Sequence, residues 1–189
     1  MTYLLPFSRP VKVTQGFFGG YRSQTPGTHK RSGSKCYDST YAVDFGLPEG
    51  TPLHAARTGY VVQWRDTGRF NYADFLRQNA DLALRRRATK ETNYVILCHD
   101  DGTFAIYAHL YFKGVDYKLK ERWKKTGRMT KIEQGEPLGR SGNTGLSTGP
   151  HLHLVVCKGI AAESVPITFK DYQQTLDDRL LFPELHEGR

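Results

Sequence analysis

Apolar residues along this chain of 189 residues recur mainly at every second position in short runs, and seldom at the spacing of three and four that marks a helix. Alternation of this kind turns one set of side chains toward a core and the next set away from it, as in half-buried strands. Five such runs stand out, at residues 41–45, 59–64, 93–99, 103–110 and 151–156, with Gly, Pro, Asn and Asp common between them. A mainly β protein built on an antiparallel sheet is therefore expected. Asp101-Gly102, between the third and fourth runs, is the clearest hairpin signal.

Two segments depart from the alternation. From residue 71 to about residue 88, Tyr72, Phe75, Leu76, Leu82 and Ala83 fall at helical spacing. Asn71 is placed there as an N-cap, and Arg85, Arg86 and Arg87 lie near the end, where the helix dipole favours cations. Between residues 111 and 131 lies a second, charged stretch with Leu119 and Trp123 four apart, which reads as another excursion from the sheet. The expected organisation is a single domain over 1–189. Its core is about 11–157, with short helical insertions at about 65–92 and 111–131 and a C-terminal extension at about 158–189.

Composition narrows the class. Hydrophobic residues at 38% and aromatics at 12%, with no low-complexity tract, suit a globular chain rather than a disordered one. The formal charge of +8 suits an anionic polymer as partner but carries no chemistry of its own. The N-terminal residues have neither the basic nor the apolar region of a secretion signal, and no run is apolar for long enough to span a bilayer, so no integral membrane segment is expected. Cys36, Cys98 and Cys157 are too few and too scattered for a disulfide framework.

Candidate chemistry begins at His151-Leu152-His153-Leu154. In a strand the two imidazoles share a face while the two leucines turn into the core. A Gly-rich lead-in over residues 139–150 must turn sharply before it delivers them. In the run around Asp44, alternation puts Tyr41, Val43 and Phe45 on one face and the carboxylate on the other. His109, after the hairpin signal, is expected to share a face with Tyr107 and Ala105. A two-residue hairpin would pair His99 with Phe104 and put it on the opposite side, which excludes it from the site. His54 and His186 read as ordinary structural or surface residues.

The Asp44 segment, Tyr107-Ala108-His109-Leu110 and the Ser-Gly-Asn-Thr-Gly…Gly-Pro-His-Leu-His run, in that order, resemble the lysostaphin, LytM and beta-lytic type of zinc endopeptidase across residues 11–157. The resemblance implies one zinc per chain held by His29, Asp44 and His153, with His109 and His151 as the catalytic residues acting on the zinc water and the developing oxyanion. Many members place the first ligand four residues before the Asp, where this chain has Thr40. His29 replaces it in a longer loop of the beta-lytic kind, with Cys36 or Asp38 next in line.

The implied fold is an antiparallel core with a zinc groove whose walls carry the two insertions. The implied substrate is a crosslink or stem peptide of bacterial peptidoglycan, with a periplasmic, envelope or secreted location and a monomer as default. Tyr21 and Tyr107 are weighed as added oxyanion donors and left out of the core site. A silent wall-binding or regulatory module of the same fold is the alternative. A nucleic-acid partner is not expected, since no zinc-finger or RNA-binding motif accompanies the charge.

Overall fold

In the computed structural model, residues 2–8, 11–16, 39–71, 82–159 and 163–170 are described. Their elements in chain order are β1 (Thr2–Tyr3), β2 (Lys12–Gln15), β3 (Val43–Gly46), β4 (Pro52–His54), β5 (Gly59–Arg65), α1 (Leu82–Glu91), β6 (Tyr94–Cys98), β7 (Phe104–Ala108), β8 (Leu110–Val115), α2 (Tyr117–Thr126), a 3-10 turn (Gly127–Met129), β9 (Lys131–Ile132), β10 (Pro137–Ser141), β11 (Leu152–Cys157) and β12 (Thr168–Phe169). All five alternating runs are strands of one seven-stranded sheet, ordered β2-β3-β11-β7-β6-β5-β9, with every neighbouring pair antiparallel. A second sheet, β4-β10-β8, is also antiparallel. The fold class is thus mainly antiparallel β with few and short helices, as the alternation predicts.

One face of the large sheet supplies Val43, Phe45, Leu97, Tyr107, Leu152 and Leu154 to the main core, where they join Leu53, Leu110 and Leu138 of the small sheet. All nine are at most 1% exposed, so each contributes about 1.5–3 kcal/mol of hydrophobic stabilisation before entropy is counted. The core also takes in segments beyond residues 11–157. Phe7 and Phe169 both stack edge-on against Phe45, with ring centroids 5.0 and 5.7 Å away. β1 and β12 pair in parallel, Thr2 beside Thr168 and Tyr3 beside Phe169.

Three expectations are corrected. The hairpin has three loop residues, because Cys98 pairs with Phe104 and the His99 N–H donates to the Thr103 carbonyl at 2.8 Å. Gly102 closes it at φ +79°, a left-handed conformation that costs glycine little. Asp101 accepts there from the Thr103 N–H and hydroxyl and pairs with Arg57 at 2.6 Å. Against the cost of partial burial, these bonds hold its carboxyl well below the usual carboxylate range.

The first inserted helix covers Leu82–Glu91 among the described residues, so it runs past residue 88 and Arg85, Arg86 and Arg87 fall within it rather than at its end. Asn71 is engaged in a bridge with Gly145.

Only part of the second excursion leaves the sheets. Residues 110–115 form β8, and α2 then buries Leu119 in the main core with Trp123 packed beside it. Asp116 caps α2 by accepting from the Leu119 N–H at 3.0 Å. The helix therefore lies on the core face of the large sheet rather than on a wall of the opposite face.

Candidate active site

Register assembles the site. β3, β11 and β7 are neighbours, with Asp44 opposite His153 and His153 opposite Ala108. Since Leu152, Leu154, Val43 and Phe45 fill the core, Asp44 and His153 stand together on the other face. The His153 Nδ1–H donates to Asp44 Oδ1 at 2.8 Å. His151 lies one residue ahead of β11, held by a bridge to Gly142, and its Nε2 is 3.8 Å from the same carboxylate oxygen. The expectation of two imidazoles sharing a face, with two leucines behind them, holds.

His109 reaches this face by another route than alternation. Its strand neighbours Ala105 and Tyr107 are buried in the main core, so a regular continuation of β7 would carry His109 there too. Instead β7 ends at Ala108 and His109 takes φ +63°. A left-handed non-glycine residue costs on the order of 1–3 kcal/mol and persists only where its surroundings hold it. The turn brings its ring to 4.6 Å from that of His151 and 5.8 Å from that of His153, centroid to centroid. The shared face with Tyr107 is thereby corrected. Tyr107 is fully buried, and its hydroxyl accepts from the Ala56 N–H at 2.9 Å within the core.

Residues not singled out in the sequence hold this turn. The His109 Nδ1–H donates to the Thr144 carbonyl at 2.7 Å. The Thr144 hydroxyl donates to the Leu110 carbonyl and accepts from the Asn93 N–H. Asn93, fully buried, donates through Nδ2 to the carbonyls of Gly68, Leu110 and Tyr111, and its Oδ1 accepts from the Gly68 N–H. One asparagine thus fastens the chain after β5, the start of β8 and the Gly-rich loop. The signal available in sequence was a single amide at the head of an otherwise apolar run, Asn93-Tyr-Val-Ile-Leu.

Ser147 plays a similar part for His151. Its hydroxyl lies 3.2 Å from His151 Nδ1, 2.6 Å from Asn143 Oδ1 and 2.9 Å from the Gly149 carbonyl, while His151 Nδ1 itself lies 2.8 Å from that carbonyl. A carbonyl can only accept, so both His109 and His151 carry a proton on Nδ1. Desolvation of the His109 ring, reinforced by the imidazoles of His151 and His153, pushes its pKa down to about 3. It therefore rests neutral near pH 7.

The remaining sequence candidates fall elsewhere. His99 is at the hairpin end of β6, whereas Tyr94 at the other end aligns with Ala108 and, through it, with His153. The His99 ring is buried edge-on against Tyr3, with Nδ1 2.8 Å from the Thr58 carbonyl. Val95 and Leu97 fill the main core while Ile96 lies on the other face, so His99 turns to the core, as expected, and is remote from the site both by facing and by position along the strand. His54 lies on β4 of the small sheet, opposite Pro137. His29, Cys36, Asp38, Tyr21 and His186 lie outside the described residues.

Among the described residues no three of His, Cys, Asp or Glu are arranged to hold a metal ion. Asp44 and His153 supply one oxygen and one nitrogen donor directed at each other, the donor types that zinc takes, and a third ligand must come from another segment.

Residues 38–165 match Peptidase family M23, and the chain belongs to that family. It is 32% identical over 111 residues to the peptidoglycan DD-endopeptidase ShyA of Vibrio cholerae, a stretch covering 59% of this chain and 18% of that protein. The match thus spans less than a fifth of that relative's length. Among solved structures, a zinc-containing peptidase from Vibrio cholerae is similar with a TM-score of 0.51 and 20% identity, covering 87% of this chain and 39% of that one. A mutant of the catalytic domain of the prophage-encoded M23 protein EnpA from Enterococcus faecalis is similar with a TM-score of 0.50 and 21% identity, covering 86% and 92%. The likeness to lysostaphin-type peptidases drawn from the three motifs is accordingly met by family and by fold.

Proposed function

We propose that this chain is a zinc-dependent endopeptidase that hydrolyses peptide crosslinks or stem peptides of bacterial peptidoglycan. The observation that carries the proposal is the convergence of His153 and His151 on one Asp44 carboxylate oxygen, with His109 turned in beside them by its own left-handed backbone. Family membership and the likeness to a peptidoglycan DD-endopeptidase support the reaction class and the substrate. Action on that polymer requires a place outside the cytoplasmic membrane.

Asp44 and His153 would hold zinc together with His29. Zinc supplies a positive charge that polarises a carbonyl and brings the pKa of water toward 7. The hydrogen bond between His153 and Asp44 uses a proton that a cation between them displaces, so metal retention weakens as the medium becomes acidic.

His109 and His151 divide the proton work. Both rings are oriented by an Nδ1–H that a backbone carbonyl accepts, which leaves each Nε2 to face the reacting atoms. One Nε2 takes a proton from the attacking water and passes it to the leaving amine. The other ring, with a proton on its Nε2, donates to the tetrahedral oxygen that carries the developing charge.

The test is release of new amino groups from purified peptidoglycan of several crosslink types, using zinc-loaded protein beside its His153→Ala and His151→Ala variants. The expected result is cleavage by the parent alone, with His151→Ala retaining zinc and losing on the order of 10²–10⁴ in rate. Near-parental cleavage by His151→Ala would remove it from the mechanism. Zinc binding without cleavage of any wall would instead define a wall-binding module.

A further inference from the structure

The net charge of the chain is concentrated in one place. Between residues 117 and 131, Lys118, Lys120, Arg122, Lys124, Lys125, Arg128 and Lys131 are basic and only Glu121 is acidic, so fifteen residues hold six of the eight net positive charges. At 100° per residue, Tyr117, Lys118, Glu121, Lys124 and Lys125 fall on one side of α2, opposite the buried Leu119 and the core-packed Trp123. Arg128 and Met129, in the 3-10 turn that follows, are exposed as well.

Part of the charge is neutralised locally, by Lys120 with Asp66, Arg122 with Glu136, Lys124 with Glu121 and Lys131 with Glu133. Among the described residues Lys118, Lys125 and Arg128 form no ion pair. Tyr117 at 71% and Met129 at 73% are the most exposed large hydrophobic residues among those described, and each is next in sequence to one of these cations.

We propose that this surface docks the protein on an anionic phospholipid bilayer. Lysines on flexible stems suit a fluid layer of phosphates better than a shaped pocket. A tyrosine at one end of the helix and a methionine just past the other are placed to enter the zone beneath the headgroups, where amphipathic side chains settle. A soluble polyanion would use the charges and leave those two apolar side chains in water. The surface belongs to the core side of the large sheet, whereas Asp44 and His153 stand on its opposite face. The docking does not depend on the proposed hydrolysis.

Co-sedimentation of the full chain with vesicles tests this. Binding is expected to vesicles of phosphatidylglycerol mixed with phosphatidylcholine, and not to phosphatidylcholine alone, and it should weaken with added salt. The triple variant Lys118→Gln, Lys125→Gln, Arg128→Gln should bind on the order of 100-fold more weakly, from about fivefold per charge. The double variant Tyr117→Ser, Met129→Ser should lose vesicle binding several-fold while its weaker retention on a sulfated polysaccharide or duplex DNA is unchanged. Arg86→Gln with Lys90→Gln, two exposed cations on α1, should bind vesicles as the parent does. Equal binding to neutral vesicles, an equal loss in the α1 variant, or vesicle binding indifferent to the loss of Tyr117 and Met129 would overturn the proposal; the last would make the surface a generic polyanion site.

Discussion

His109 shows how much can rest on one backbone torsion. Its ring belongs to the site because φ is +63°, and that conformation is held from behind by Thr144. Thr144→Val keeps the shape of the side chain but orphans the buried Asn93 N–H and leaves the Leu110 carbonyl only its bond from Asn93 Nδ2, at a cost of about 1–3 kcal/mol. We expect turnover to fall far more than stability does, since a shift of about 1 Å in a catalytic group costs on the order of 10²-fold. KM and zinc content should stay near parental, and Thr144→Ser should restore the rate. A Val variant whose KM rises while kcat holds would show that Thr144 shapes binding instead.

His99 makes a pH prediction of the same kind. Burial lowers its pKa below the ordinary 6.5, so the unfolded chain binds the proton more readily than the folded one. Its contribution to stability is thus complete above pH 6.5 and is lost as pH falls below that value toward the folded pKa. In His99→Asn, which retains a donor for the Thr58 carbonyl, the decline in melting temperature between neutral and mildly acidic pH should be shallower than in the parent. Parallel declines would assign the acid sensitivity to other groups.

At the scale of elements, alternation foretells which strands form and which side chains share a face when the strand is regular. Asp44, His151 and His153 were legible for that reason, with core residues behind them. His109 was assigned to the right segment but to the wrong face, because a left-handed residue at a strand end leaves no trace in the periodicity. The hairpin departed from the two-residue form because Asp101 bonds to Thr103 across the turn, a local bond that competes with the shorter loop. β8 was hidden by its charges and aromatics, although it pairs with β10. His29 lies outside the described residues, so its place as a ligand rests on the resemblance alone.

The Gly-rich loop is the element most constrained by packing. Gly145 has φ +84°, its N–H donates to the Phe70 carbonyl, and an added Cβ would collide with Thr92. Gly145→Ala is expected to cost roughly 2–4 kcal/mol through strain and overpacking. It should also lower activity by displacing the neighbouring Thr144 carbonyl, measurable as a lower denaturant midpoint together with a lower kcat. An unchanged midpoint would mean that the loop adapts.

In the whole molecule, the strand that offers Asp44 to one face rests its next residue, Phe45, between Phe7 and Phe169 on the other. Support for the carboxylate therefore comes from the first and last described segments. Phe169→Ala should destabilise the fold by about 3–5 kcal/mol, read from chemical denaturation. A loss below 1 kcal/mol would show that β12 is dispensable to the core.

The parallel pairing of Thr2 with Thr168 and Tyr3 with Phe169 also makes the two supports of Phe45 one mechanical unit. β1 and β12 form a two-stranded sheet of their own, so whatever frees one strand unpairs the other, and Phe7 and Phe169 loosen together.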